Sequence, residues 1–178
     1  LRLSYAELDA GLQLQLPLYL KAAAQYFGEP AGMFYLHVCD PVEDGSGESP
    51  EDGDGVPKEY RLRGLLLGDE AVVRAMDGIS TKRSPFVPVQ FTASGVSGSA
   101  LLPPGRMDYL LRRAHEVAQR SAQRIWEGEA APLPSRIGTS TACDYCDYAP
   151  ICRFEPRRGG VFREIAKMDE AEFFKEET

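Results

Sequence analysis

The chain has 178 residues, 43% of them hydrophobic and 26% charged, with a formal net charge of −7. That length and balance fit one soluble globular domain with a core of ordinary size. No apolar run approaches membrane-span length and no signal-peptide pattern opens the sequence, so a reducing compartment is expected. The sequence starts on Leu1 in mid-pattern, which predicts a piece of a longer protein.

Charge is unevenly spread. Residues 40–59 hold eight acids against Lys58 alone, and 164–178 hold six acids against two lysines. Residues 106–163 carry ten arginines against seven acids, so the partner-facing surface is better judged there than from the net charge.

In chain order, Ser4-Tyr-Ala-Glu7 has the form of a capping box, and Gly11 can end its short turn. A longer helix is predicted from about Gln13 or Leu14 to Phe27, because Pro17 is tolerated only in a first turn. Leu12, Leu16, Tyr19, Leu20 and Ala23 share one face of it. Met33–Val38 and Tyr60–Leu67 read as paired strands. The acidic stretch 40–59 between them has almost nothing to bury and reads as a solvated loop. Its Asp52-Gly-Asp-Gly55 opens like a calcium loop, but Val56 stands where the next oxygen ligand belongs, so that template fails.

A short helix over Asp69–Met76 follows, N-capped by Asp69, then a strand over Val87–Phe91 and a Gly/Ser stretch over Ser94–Ser99. The strongest helix runs from about Gly105 to Glu127. Met107, Leu110, Leu111, Ala114, Val117, Ala118, Ile125 and Trp126 form its predicted buried stripe.

Cys143, Cys146 and Cys152 form a C-x-x-C-x5-C group. Thiolates this close usually share a metal, zinc or an iron–sulfur cluster, and three are one short of a closed set. Cys39, His37 and His115 are the soft or imidazole candidates for the fourth position. A lone strand-end cysteine is, however, most often a small buried hydrophobe, and single histidines are usually structural. Tyr145, Tyr148, Ile151 and Phe154 interleave with the cysteines and are expected to cover the metal.

Gln15 and Tyr19, at i and i+4, can reach one point and orient a phosphate or a water; the bland alternative is an exposed Gln beside a half-buried Tyr. No phosphate-binding glycine loop is present. Nor is there an Asp followed by a D/E-x-K strand; Glu164-Ile-Ala-Lys167 has the wrong spacing and is expected in a tail helix.

Three stretches together resemble the B-subunit family of bacterial AddAB helicase-nucleases, RecB-like members of the PD-(D/E)XK nuclease superfamily. They are Gly11–Leu20, Gly64–Asp77 and Ala142–Phe154. The resemblance implies an α/β (mixed α+β) fold: a partial restriction-endonuclease-like domain over 1–178, with C-terminal helices, a cysteine-ligated staple, an acidic loop at 40–59 and an acidic tail at 164–178. Gln15 and Tyr19 match the family's Q-x-x-x-Y motif and take accessory catalytic roles. Cys143, Cys146 and Cys152 match three ligands of a [4Fe–4S] cluster whose fourth ligand lies far upstream. The family's metal-binding Asp and D/E-x-K strand precede the Q-x-x-x-Y helix, so the resemblance implies a C-terminal fragment that is inactive alone.

The implied parent is a Mg²⁺-dependent DNA exonuclease in an ATP-driven complex of the bacterial cytoplasm, active in double-strand break repair and recombination. Its implied partners are DNA, the helicase-nuclease A subunit and the upstream part of its own polypeptide. Arg112, Arg113, Arg120, Arg124, Arg153, Arg157 and Arg158 are the candidate phosphate contacts. Competing readings are a zinc-stapled DNA-binding module that does not cleave, a CRISPR-associated RecB-like nuclease fragment and a purely structural partner surface.

Overall fold

The computed structural model describes residues 3–38, 60–77 and 83–175, so Cys39 and the acidic loop 40–59 lie outside the described residues. The chain divides into two compact units, Leu1–Leu3 with Gln15–Arg112, and Ser4–Leu14 with Arg113–Thr178.

Helix α1 (Tyr5–Asp9) starts as its sequence predicts: the Ser4 hydroxyl accepts from the Glu7 amide. The box closes differently, however. Gln13 accepts from the Ser4 amide at 2.9 Å and donates to Glu7 at 3.0 Å, standing in for the reach-back of Glu7 itself. Helix α2 (Gln15–Phe27) then begins so that Pro17 falls in the first turn, where a missing amide costs nothing.

Strand β1 (Gly32–Tyr35) pairs antiparallel with β2 (Arg63–Leu67), with Met33 opposite Leu65. Helix α3 (Glu70–Asp77) follows, and Asp69 Oδ1 accepts from the amides of Ala71 and Val72, the predicted cap. Strands β3 (Val89–Thr92) and β4 (Gly95–Gly98) form a hairpin. Sequence alone reads β4 only as a Gly/Ser stretch. The correction has a steric cause: a Cβ at Gly98 would sit 2.3 Å from the Pro88 carbonyl oxygen, so this strand needs glycine to approach its partner.

Strand β5 (Leu101–Leu102) pairs parallel with β2, giving the order β1-β2-β5. Leu66, Val73, Val87 and Val89 form the core of this unit, with Phe34, Leu62 and Leu101 packed on it.

Helix α4 (Pro104–Trp126) contributes residues to both units. Met107, Leu110, Leu111, Ala114 and Val117 are buried, as their spacing requires. Ile125 and Trp126 are not: Trp126 is 87% exposed. The helix runs about two and a half turns past its last buried residue, so the apolar stripe outlasts the surface that covers it. Among the described residues no helix is long and apolar enough to cross a membrane.

The second unit carries a small sheet in the order β7-β6-β8, from β6 (Ser135–Ile137), β7 (Ser140–Thr141) and β8 (Arg163–Glu164). Gly138, at φ +60°, occupies the first position of the two-residue β6–β7 turn, where a primed turn demands glycine. Between β7 and β8 lies α5 (Ala149–Cys152), and α6 (Glu170–Phe173) closes the unit. The segment expected to be an acidic tail thus carries structure through Lys175, with Glu164 in a strand rather than a tail helix. Its anchor is apolar. Phe173 and Phe174 are buried, and Tyr5 of α1 stacks on Phe173 with centroids 4.9 Å apart.

Candidate metal centre and nucleic-acid interface

The three cysteines sit on a succession of tight turns. Thr141 opens the first: its amide and hydroxyl both donate to the Asp144 carboxylate, at 2.8 and 2.6 Å, while its Oγ1 accepts from the Cys143 amide. These bonds from Thr141 hold the Asp144 carboxyl below its ordinary range. The Cys146 amide then donates to the Cys143 carbonyl, and Ala149 to that of Cys146. Cys152 ends α5, and Arg153 caps it in the left-handed region at φ 52°, its amide donating to the Ala149 carbonyl. Sequence reasoning missed the Thr141–Asp144 clamp, although T-x-x-D is a readable cap-like signature.

All three thiols are free; Cys143 is half-buried and the other two are exposed. Burial pushes the Cys143 thiol up, and Cys146, Cys152 and Asp144 push it the same way, so the three sulfurs share one electrostatic neighbourhood. They do not make a closed donor set. Among the described residues, no three Cys, His, Asp or Glu side chains converge as the holder of a metal ion. His37 is exposed and His115 half-buried, and neither joins the thiols in such a group. A single tetrahedral zinc needs its sulfurs within about 3.8 Å of each other, given Zn–S bonds near 2.3 Å. A polynuclear iron–sulfur cluster takes one thiolate at each iron and so accepts wider spacing. Among the described residues the three thiols complete neither set.

The expected aromatic cover is absent. Tyr145 is 98% exposed, and Tyr148 and Ile151 also face solvent. The reason is local: tight turns of four residues cannot fold side chains back over their own inside. Of that set only Phe154 packs, edge-on against Phe162 at 4.9 Å; Arg136 lies over Phe162 and donates to Glu164 at 2.7 Å.

Gln15 and Tyr19 do meet. Gln15 Nε2 donates to the Tyr19 hydroxyl at 3.4 Å, and both side chains are exposed at the start of α2. Tyr19, 63% exposed, leaves its hydroxyl available to a second partner.

The candidate arginines separate into two groups. Arg113 bonds Asp9 at 2.7 Å and ties α4 to α1 within the second unit. Arg124 pairs with Glu129 and Arg158 with Glu155. Arg112 lies over the Tyr109 ring, 5.4 Å from its centroid. Arg120, Arg153 and Arg157 are exposed and make no ion pair among the described residues.

Similarity to known proteins follows the same segments. The model of the PD-(D/E)XK nuclease superfamily matches residues 2–153, from before α1 to just past Cys152. The chain is 30% identical over 194 residues to the B subunit of the ATP-dependent helicase/deoxyribonuclease of Exiguobacterium sibiricum, covering 99% of this chain and 17% of that protein. The corresponding protein of Symbiobacterium thermophilum is 36% identical over 173 residues (89% of this chain, 14% of the relative), and that of Moorella thermoacetica 35% over 170 (89% and 15%). The chain therefore spans 14–17% of the length of these relatives. With a family match over most of its length and a mixed α/β fold to carry it, the chain belongs to the PD-(D/E)XK nuclease superfamily.

Proposed function

We propose that this chain is the cluster-bearing, distal part of an AddB-type nuclease domain, acting on DNA ends in a bacterial cytoplasmic helicase-nuclease during break repair and recombination. In this reading Cys143, Cys146 and Cys152 are three ligands of a [4Fe–4S] cluster, and the fourth thiolate comes from an upstream part of the same polypeptide. One observation carries it. From residue 118 to residue 172 no residue is buried, yet three free cysteines lie together inside that stretch. A coreless region of this size needs a staple, and a structural metal group is the staple that free thiols provide.

Gln15 and Tyr19 act at the other end of the reading. Their linked amide and hydroxyl orient a phosphate oxygen or a water beside the reacting bond, without titrating. Bound Mg²⁺ supplies an activated water and offsets charge on the phosphate. The carboxylates that hold it are contributed from outside this chain, which alone does not cleave DNA. Arg120, Arg153 and Arg157 contact the backbone. The helicase-nuclease A subunit is the partner, and the complex rather than this chain uses ATP.

The deciding experiment is iron, zinc and acid-labile sulfide content with an absorption spectrum, on anaerobically purified protein. Iron with sulfide and a thiolate-to-iron band is expected, and Cys146→Ala should remove both the band and the thermal stability tied to it. Stoichiometric zinc without iron would overturn the cluster and favour a zinc-stapled DNA-binding module. A nuclease assay with Mg²⁺ should give no cleavage; activity that persists through further purification would reject the accessory role.

A further inference from the structure

Cys143 and Cys146 stand at the two ends of one turn. The Cys146 amide donates to the Cys143 carbonyl at 3.3 Å. A bond of that span brings the end Cα atoms within about 7 Å of each other. A disulfide needs a Cα separation of about 4.4–6.8 Å, so the backbone is already closed to the range a bridge requires. Thr141 steadies the turn, donating to the Asp144 carboxylate at 2.8 and 2.6 Å and accepting from the Cys143 amide at 3.2 Å. Cys152 is placed differently. Its amide donates to the Tyr148 carbonyl at 2.9 Å, and a second turn, closed by Ala149 donating to Cys146, stands between it and the C-x-x-C pair.

The pair is open to reagents. Cys146 is exposed and Cys143 half-buried, both as free thiols, and Tyr145 between them points into solvent rather than over the sulfurs.

We propose that Cys143 and Cys146 form a reversible disulfide when they carry no metal group, a redox latch that leaves Cys152 as a free thiol. The oxidant is a peroxide. The exposed Cys146 thiolate attacks one oxygen of hydrogen peroxide and breaks the O–O bond, giving a sulfenic acid and hydroxide. The Cys143 thiolate then attacks the Cys146 sulfur, forming the S–S bond and expelling a second hydroxide. The two thiol protons convert both hydroxides to water, so two thiols and one peroxide give one disulfide and two waters.

The bridge is weak by its own geometry. It closes a loop of four residues whose ends the turn already holds together, so it restricts the unfolded chain little. Exposed bridges of this kind are the labile ones that a dithiol reduces. Closing it takes two thiols out of any metal-binding set, and reduction returns them. The bridge stands on the turn geometry; only its effect on metal uptake rests on the cluster reading.

The test is treatment of the full, metal-free chain with hydrogen peroxide, then alkylation and digestion by trypsin without reductant. Residues 137–153 leave as one peptide holding all three cysteines, and fragmentation locates the bridge. The expected peptide has lost the mass of two hydrogens, is bridged between Cys143 and Cys146 and is alkylated at Cys152; dithiothreitol restores alkylation at all three. Cys146→Ser should abolish the mass loss. Cys152→Ser should keep it, and decides the matter if the Cys146 variant folds poorly. A bridge to Cys152 or Cys39 instead, or sulfinic acid at Cys146 in place of a bridge, overturns the proposal. A second arm adds ferrous iron and sulfide without oxygen. The bridged chain should take up no iron until dithiothreitol is added, and equal uptake by bridged and reduced chains overturns the latch. If even the reduced chain takes up none, the cluster reading fails while the bridge, read by mass, stands.

Discussion

Leu66 and Ile151 are both aliphatic residues of the same chain, yet Leu66 is 1% exposed and Ile151 81%. Leu66 stands in the middle strand of the β1-β2-β5 sheet, where Val73, Val87 and Val89 close over it. Ile151 stands on a helical turn among the cysteines, and from 118 to 172 nothing else is buried either. The first region is held by area removed from water. The second is held by cap and turn hydrogen bonds, three arginine–carboxylate pairs, and the Phe154–Phe162 contact. Such bonds fix a local shape but contribute little net free energy each. The two regions therefore differ in what holds them, burial in one and directional surface bonds in the other.

The largest expected effect lies in the first region. Leu66→Ala should cost about 2–5 kcal/mol in urea unfolding followed by far-ultraviolet circular dichroism, whereas Ile151→Ala should stay within about 0.5 kcal/mol. Comparable losses from the two would erase the contrast. A smaller, local effect is expected at the Thr141–Asp144 clamp. Asp144→Ala should speed amide exchange at Thr141 and Cys143 roughly tenfold while exchange across β2 is unchanged. Unaltered exchange at Thr141 would mean that some other contact holds the first cysteine turn.

How much of this is legible in the sequence follows the same division. Elements set by short-range chemistry are readable: the Ser4 cap, the Asp69 cap, Pro17 in a first turn, the 107–117 stripe. Elements that depend on a partner strand are not. Gly95–Gly98 looks like loop because its glycines are needed by the approach of Pro88, which no local pattern reports. Leu101–Leu102 is too short to stand out and is a strand only because β2 lies beside it. At the site, the spacing of Gln15 and Tyr19 allows their contact without requiring it, and the structure shows the bond with both residues exposed. The exposure of Tyr145 and Tyr148 is unreadable because periodicity in a run of turns carries no inside or outside.

The smallest effect tests how far a surface pair steadies a coreless region. Hydrogen bonding from Arg124 holds the Glu129 carboxyl below the ordinary glutamate range; partial desolvation opposes this, and the Arg124 charge adds to it. A depressed folded-state value means the pair's stabilisation is fully present above the unfolded carboxylate range and is lost as pH falls through the folded value. Both partners are solvent-facing, so salt should weaken the pair and the change in overall unfolding should be slight. The sharper readout is the Glu129 carboxyl carbon followed by NMR from pH 7 downward. Its midpoint should fall below that of a model glutamate and return to it in Arg124→Gln. A midpoint that is ordinary in the wild type would show that the ion pair is not populated in solution. The turn at Gly128 would then rest on its backbone bonds alone, Gly128 to Ile125 and Glu129 to Arg124.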